Sequence, residues 1–346
     1  LAARLMGEGF NVAVVSEPLG VGAREFPRGS YIARVGRNRA ALHERIDALA
    51  REAGVGVHAA ATAFAERGPT GTGSETTRTL NPPRIAVLAG EGVGIASYGA
   101  LWFELERRIG QPFTAVRAAD ASRAALDHFD VIVLPAGSSY GRKLGETGAE
   151  RLHGWVERGG TLIAYGGGAR WVQDAEPFSE TYVAPDTASL PADSALALRA
   201  TLEAVAAPQA QLPPAVSPDA RPDQPEPVPG SFLRALLDPT HWLTFGYTGP
   251  ELAVLAESLP LRASRAGQNP VSYAAEDQLV ISGWSWPANT MPSYAGGSYA
   301  TVDAIGDGRV ILFAEDPLYR GVFDAPKQLL YNALLLGAPA RAGAAR

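Results

Sequence analysis

The chain contains no cysteine, and this absence removes several kinds of chemistry at once. Without a thiol there is no disulfide, no thiolate zinc site and no cysteine nucleophile. The absence does not identify a compartment, because cysteine-free proteins occur on both sides of a membrane. The chain also lacks any apolar run that approaches the roughly 20 residues needed to cross a bilayer. We therefore expect no membrane span.

Charge and length narrow the class of protein further. A formal net charge of −6 disfavours nucleic acid or an anionic membrane as the main partner. With 346 residues, 46% hydrophobic and 19% charged, the chain is long enough for two globular domains or one large domain with an appendage. Leu1 is not an initiator methionine. We therefore expect a fragment or a processed product, from which a signal peptide could have been removed.

Residues 1–80 are predicted to form a small βαβ-like unit. Leucine and isoleucine recur at helical spacing in its central segment, and apolar segments bounded by glycine and proline flank that helix. The predicted strands are Phe10–Val15, Ser30–Val35 and Val55–His58, and the predicted helix is Arg37–Ala53.

Residues 82–340 are predicted to form a larger α/β domain. Strands that alternate with helices indicate a parallel sheet with helices on both faces. An extended insertion is predicted at about 181–230, because ten of the chain's 27 prolines lie between Pro185 and Pro229. The predicted strands are Arg84–Ala89, Phe113–Val116, Phe129–Leu134, Thr161–Tyr165, Leu279–Ser282 and Val310–Ala314, and the helices are Tyr98–Ile109, Ala149–Glu157 and Lys327–Leu336.

The turn after Thr161–Tyr165 is the best-placed position for chemistry. Ligands and nucleophiles in open α/β sheets gather at the carboxyl ends of strands. Here the turn is Gly166, Gly167 and Gly168, which permit a sharp change of direction because glycine tolerates positive φ. No reactive side chain is present in this turn.

A serine motif follows the strand Phe129–Leu134. Gly137-Ser138-Ser139-Tyr140-Gly141 fits the G-x-S-x-G pattern of hydrolases, in which the central serine lies on a strained turn leading directly into a helix. Ser139 with His241 as base is therefore one alternative. The glycines after the motif are expected to delay the helix, which favours an ordinary glycine and serine loop.

The sequence contains little that could bind metal or phosphate. The five histidines are dispersed, and His153 with Glu157, one helical turn apart, lacks a third ligand for zinc. Gly90–Gly94 follows a strand, but its spacing is not that of a dinucleotide fingerprint and Glu91 would repel phosphate. We therefore expect a tight strand-to-helix turn there.

Two further clusters remain. Glu315 and Asp316, with Arg320 nearby, follow the strand Val310–Ala314 and could form an acid–base pair. A salt-bridged or helix-capping turn is the favoured interpretation. The aromatic cluster around Trp284–Trp286, with Tyr294 and Tyr299, is more typical of core packing than of ligand stacking.

Several segments together resemble a known domain. PRIAVLAGEGV, YGALWFELE, FDVIVLPAG, LHGWVERGGTLIAYGGGARW, GDGRVILFAEDPLYRG and QLLYNALLLG occur in this order. They resemble the class I glutamine amidotransferase-like domain, with its flavodoxin-like fold. More specifically, they are similar to the version attached behind the peptidase domain of bacterial zinc carboxypeptidases of the carboxypeptidase A type. FPRGSYIARVGRN resembles the segment that joins the two parts in those proteins.

The resemblance implies where catalytic residues would lie. An active amidotransferase has a cysteine in the turn now occupied by Gly166, Gly167 and Gly168. It also has a His-x-Glu pair where this chain has Ala314, Glu315 and Asp316. Both nucleophile and base are absent, so glutamine hydrolysis by that mechanism is excluded. The family's zinc motif, a His-x-x-Glu with a distant histidine, is also absent from these residues.

The resemblance therefore predicts a non-catalytic accessory portion of a zinc carboxypeptidase, binding a ligand or shaping the cleft. Its partner would be the peptidase domain of the same polypeptide, which would hold the zinc, and the ligand a peptide or a glycan. No cofactor is expected in this portion, and export from the cytoplasm is favoured. The predicted pocket residues are Tyr98, Ser138, Ser139, Gly166, Gly167, Gly168, Glu315 and Arg320. An assembly or oligomerisation module without a ligand is the other alternative.

Overall fold

The computed structural model describes residues 1–61, 75–182, 228, 230–265, 267–287 and 290–339. Most of the predicted proline-rich insertion at 181–230 lies outside the described residues. The strands are β1 (Val12–Val15), β2 (Leu19–Val21), β3 (Arg24–Phe26), β4 (Tyr31–Ile32), β5 (Thr77–Leu80), β6 (Ile85–Ala89), β7 (Phe113–Arg117) and β8 (Val131–Leu134). They continue as β9 (Thr161–Tyr165), β10 (Ser231–Leu237), β11 (Glu251–Ala256), β12 (Gln268–Tyr273), β13 (Val280–Ser282), β14 (Ser298–Ile305) and β15 (Gly308–Phe313). The α-helices are α1 (Ala2–Gly7), α2 (Leu42–Ala53), α3 (Ile95–Trp102), α4 (Tyr140–Glu157), α5 (Gly167–Asp174), α6 (Thr290–Tyr294) and α7 (Lys327–Leu335).

The large sheet has a parallel half in the order β7-β6-β8-β9-β15. Numbered along the chain, these strands have the order 2-1-3-4-5, which is flavodoxin-like. α3 leads from β6 to β7 and α4 leads from β8 to β9, in opposite directions across the sheet. Right-handed crossovers therefore put these two helices on opposite faces. The predicted flavodoxin-like α/β fold is confirmed.

The apolar runs explain why these strands are central. Every residue of β8 and β9 is buried, as is most of β6. A strand buried on both faces has no solvated side, so its sequence is continuously apolar rather than alternating.

The sheet continues beyond β15 as an antiparallel half, which the sequence interpretation largely missed. β14, β12, β10 and β11 follow in that order, and β13 pairs with β10. Of these five strands only β13 was predicted. β11 nevertheless alternates between half-buried and buried residues, the pattern of a strand covered on one face.

The N-terminal unit differs from the predicted βαβ-like arrangement. Its sheet has the order β4-β1-β5, and both pairings are antiparallel. The predicted strand Val55–His58 is wrong, because these residues are exposed and unpaired after α2. Their place is taken by Thr77–Leu80, which pairs with β1 along its whole length. Of the predicted strand Ser30–Val35, only Tyr31–Ile32 is paired.

An apolar cluster joins this N-terminal unit to the large domain. Leu5, Val12 and Leu49 pack with Phe245 and Leu335, which belong to the large domain. The Arg78 guanidinium also donates a hydrogen bond to the Leu336 carbonyl. Among the described residues, no helix combines the length and the apolar character needed to cross a membrane.

Candidate functional site

The site lies where the strand order reverses, between β6 and β8. From β6 the chain crosses to β7 on one side, whereas β8, β9 and β15 follow on the other. The helices that follow β6 and β8 lie on opposite faces of the sheet, so a crevice is expected at this edge, which is the usual ligand site of such sheets.

The loop after β6 is held against the loop after β8 by main-chain contacts. The Gly94 amide donates to the Ala136 carbonyl at 2.8 Å, and the Ser138 amide donates to the Gly92 carbonyl at 3.0 Å. A Cβ at Gly94 would lie 2.7 Å from the Ala136 oxygen, so only glycine fits. Glu91 forms an ion pair with Lys143 at 2.7 Å. As expected, this is a tight strand-to-helix turn.

The serine motif after β8 does not form a hydrolase elbow. The predicted delay of the helix is wrong: α4 begins at Tyr140, and the glycine at 145 is accommodated by a kink inside it. Ser139 is the N-cap residue with φ −130°, an unstrained conformation. A nucleophile elbow instead holds its serine on a strained turn.

The alternative Ser139–His241 pair is likewise not formed. Ser139 Oγ accepts a hydrogen bond from Arg142 at 2.6 Å. Both ring nitrogens of His241 are used elsewhere, Nδ1 by the Leu243 amide at 3.1 Å and Nε2 by Gln268 Oε1 at 2.6 Å. A serine hydrolase needs the base within hydrogen-bond reach of the nucleophile. The serine-hydrolase alternative is therefore wrong for this arrangement.

The triple glycine after β9 has an elbow-like backbone without a side chain. Gly166 has φ 56° and ψ −128°, and α5 begins at the next residue. A Cβ at Gly167 would lie 1.9 Å from the Gly137 carbonyl oxygen, and one at Gly168 would lie 2.9 Å from the Leu134 oxygen. These glycines lie against the main chain that follows β8. They do not line the cavity described below, contrary to the prediction.

Glu315 is a buried structural carboxylate rather than a pocket residue. Its Oε1 accepts hydrogen bonds from the Glu257 amide at 3.1 Å and from the Ser258 amide and hydroxyl at 2.8 and 2.9 Å. Burial raises the pKa of Glu315 to about 7, whereas Arg170 and these donors act in the opposite direction. Glu315 thereby fixes the loop after β11 against the end of β15.

Asp316 has a different position. Its Oδ1 accepts a hydrogen bond from the Leu318 amide at 2.9 Å, which supports the capping-turn interpretation. Burial is the main cause that raises the pKa of Asp316, and Ser97 and backbone donors oppose it. Asp316 lines the crevice and Glu315 does not, so the two carboxylates of the predicted acid–base pair do not lie at the same site.

A cavity of about 600 Å³ occupies the crevice. Of the predicted pocket residues, Ser138, Ser139 and Arg320 line it, while Tyr98 packs edge-on against Phe113 at 6.2 Å. The complete lining consists of Gly92, Val93, Gly94, Ala96, Ser97, Ala136, Gly137, Ser138, Ser139, Glu257, Asp316, Tyr319 and Arg320.

Four polar lining residues were not in the predicted pocket: Ser97, Glu257, Asp316 and Tyr319. Ser97 lies in the first turn of the helix after β6, a position that strand-end reasoning could have included. Glu257 follows β11, a strand that was not predicted, so no sequence signal connected it to this site.

The aromatic cluster and the candidate metal ligands can also be compared with the structure. Tyr294 and Tyr299 are buried against Tyr273 with ring centroids 4.9 and 5.9 Å from it, which agrees with core packing. Among the residues with described positions, no three histidine or carboxylate side chains come together as a metal site. His153 Nδ1 lies 3.7 Å from Glu157.

Comparisons with known proteins give fold-level similarity only. No family model and no curated protein matches the chain. A ThuA-like protein from Bacteroides uniformis is similar over 72% of this chain and 89% of its own, with 9% identity and a TM-score of 0.42. A GMP synthase-like protein from Thermoplasma acidophilum is similar over 73% and 92%, with 10% identity and a TM-score of 0.42. A cytoplasmic protein from Salmonella typhimurium is similar over 74% and 100%, with 11% identity and a TM-score of 0.39.

Proposed function

We propose that this chain is a non-catalytic accessory portion of a zinc carboxypeptidase of the carboxypeptidase A type. It would bind a ligand or shape access to the cleft of a peptidase domain in the same polypeptide. The zinc would belong to that domain. The carboxypeptidase context rests on the sequence resemblance, and the accessory role is supported by the site.

One observation carries the accessory role. The elbow-like turn after β9 has glycine where a nucleophile would lie, and a separate open cavity of about 600 Å³ lies at the switch point. A turn without a reactive side chain, together with an open cavity nearby, favours binding over chemistry. The volume lies within the range of small-molecule sites, about 300–1,000 Å³.

The first test is activity of the chain alone. We expect neither release of ammonia from glutamine nor zinc-dependent removal of a C-terminal residue from a peptide. Either reaction, proportional to the amount of purified chain and lost on heat denaturation, would contradict the proposal.

The second test is a peptidase comparison in the longer protein that the resemblance implies. Removing this portion should change KM for peptide substrates and leave the zinc content unaltered. Unchanged KM and kcat with every substrate tested would contradict a cleft-shaping role.

An assembly module is the second candidate, because apolar side chains are exposed beside the cavity. Ile95 on α3 is 90% exposed, and Val322, after the turn 319–321 that packs on α3, is 77% exposed. If these residues mediate assembly, Ile95→Asp with Val322→Asp should convert an oligomer to a monomer in sedimentation experiments. A wild-type chain that is already monomeric at high concentration would exclude self-assembly.

A further inference from the structure

One wall of the switch-point cavity is electropositive. The N-caps of α3 and α4 are Gly94 and Ser139, and neither has a side-chain capping hydrogen bond. The first-turn amides of a helix have no partners within the helix, and the helix dipole adds partial positive charge there. This wall therefore offers hydrogen-bond donors to a ligand.

The opposite wall is acidic. Asp316 and Glu257 both line the cavity. Asp316 accepts hydrogen bonds from the Leu318 amide, the Tyr319 amide and Ser97, and Glu257 Oε1 accepts from the Tyr319 hydroxyl at 3.1 Å. A carboxylate has about four lone-pair sites, so both groups keep acceptor capacity for a ligand. A ligand in this cavity thus meets donors on one side and acceptors on the other.

A buried tyrosine lies behind two of the residues that line the cavity. The Tyr165 hydroxyl is completely buried, with the Ser97 side chain as its hydrogen-bond partner. It lies beside Ser97 and Asp316, which both line the cavity. Tyr165 is not itself a lining residue, so it supports Ser97 from behind the cavity.

The charges on the two walls disfavour ligands with a single charge. An anion such as phosphate would face Asp316 and Glu257 at short range. A cation would face the helix N-termini and Arg320, which has no ion-pair partner in the described part of the chain. A hydroxyl group donates and accepts at once, so adjacent hydroxyls satisfy both walls without net charge.

We propose that this cavity binds a neutral polyhydroxylated ligand, such as a monosaccharide or a cyclitol. Its hydroxyls would donate to Asp316 and Glu257 and accept from Ser138 and the first-turn amides of α3 and α4. The apolar face of the ring would contact Tyr319. The inference rests on the ligand-binding role proposed above and specifies the class of ligand.

The test uses the full chain and three classes of probe. Glucose, N-acetylglucosamine and myo-inositol represent polyols, glycylglycine represents zwitterions, and inorganic phosphate represents anions. Saturation-transfer NMR detects weak binding, and calorimetric titration measures affinity. We expect binding of at least one polyol, weakened about 10- to 100-fold by Asp316→Asn, which removes a charge-assisted hydrogen bond.

A matched pair of variants locates the binding. Ala96 is exposed and lines the cavity, so Ala96→Phe should fill it and abolish polyol binding. Val322, beside the cavity, is 77% exposed and does not line it, so Val322→Phe should leave binding unchanged. Equal melting temperatures of both variants establish that the fold is intact.

Two results would overturn the inference. Binding of glycylglycine or phosphate in place of polyols, with the same dependence on position 96, would assign another ligand class while preserving the ligand-binding role. Failure of every probe to bind would also overturn it. The accessory role would then be decided by the peptidase comparison alone.

Discussion

In the parallel half of the large sheet, the closest approaches are between main-chain segments, whereas the antiparallel half contains a buried carboxyl group whose pKa is raised by burial. Gly167 meets the Gly137 carbonyl, and a Cβ at Gly308 would lie 2.0 Å from the Val156 oxygen. In the antiparallel half, Asp303 is 1% exposed, and Ser264 donates a hydrogen bond to its Oδ1. Contacts between main-chain segments leave no room for an added side-chain atom, whereas a buried carboxyl group makes stability depend on pH.

The largest expected effect is in the parallel half. Gly167→Ala puts a methyl group 1.9 Å from a carbonyl oxygen of the loop after β8, so the two loops must separate. We expect a loss of about 3 kcal/mol or more in the free energy of unfolding, measured by denaturant titration.

The matched control is Gly141→Ala on α4, where the new Cβ would make ordinary contact with Trp171 at 3.5 Å. Replacing glycine by alanine inside a helix should stabilise the protein by about 0.5–1 kcal/mol. Similar effects of the two substitutions would contradict the tight main-chain contact at Gly167.

The next effect concerns Asp303 in the antiparallel half. Burial raises the pKa of Asp303 from 3.8 to about 6. Between these values the folded state holds a proton that the unfolded state has lost, so stability should increase as pH falls through about 6 and level off below 3.8. Asp303→Asn should stabilise the protein by about 1–3 kcal/mol at pH 8, and this advantage should shrink on acidification.

Thermal unfolding between pH 4 and pH 8 measures the Asp303 effect. The exposed Asp307, in the turn between β14 and β15, serves as the control, and Asp307→Asn reports the effect of removing a carboxylate from the surface. An Asp303→Asn advantage that grows on acidification would contradict a carboxyl group whose pKa is raised by burial.

Glu315 lies at the boundary between the two halves, and its buried carboxyl group should also make stability depend on pH. Arg170 and nearby hydrogen-bond donors counteract part of the effect of burial on its pKa. Its pKa is raised from 4.5 to about 7, so its contribution to stability should increase as pH falls through 7 and be complete near 4.5. Glu315→Gln keeps an acceptor for the amides of Glu257 and Ser258 and should flatten this part of the profile. Retention of the full wild-type slope between pH 5 and 8 would assign it to other groups.

The smallest effect is expected at the surface of the parallel half. Arg158 pairs with Asp127 at 3.0 Å, and both side chains are largely exposed. Arg158→Ala should change the free energy of unfolding by no more than about 0.5 kcal/mol, because solvent screens such pairs. A loss of stability as large as that of Gly167→Ala would contradict the expectation that an exposed ion pair contributes much less than a tight main-chain contact.

The parallel half could be predicted closely because its signals are local. Thr161–Tyr165 is a strand with the bounds that its apolar run indicates, and Gly166 does adopt positive φ after it. The antiparallel half was missed because several of its strands contain polar residues. β12, for example, contains Asn269 and Ser272, whose burial depends on neighbouring strands distant in sequence.

The candidate site was predicted in place but only partly in composition. Ser138 and Arg320 line the cavity because each follows a strand that ends at the switch-point edge. Glu315 does not, because its side chain turns to the amides after β11, a contact that the local sequence does not encode. Asp316, one residue later, takes the position facing the cavity.

The order of helices and strands in the parallel half and the absence of an amidotransferase nucleophile can be predicted from the residues alone. Both depend on the identity of residues within a short segment, such as the glycines after β9. Two other relations become visible only in the folded chain: Ser139 and His241 have separate partners, and Asp316 and Glu257 face the N-termini of α3 and α4 across one cavity. These relations join residues far apart in the chain, so they are set by strand pairing and loop packing rather than by local sequence.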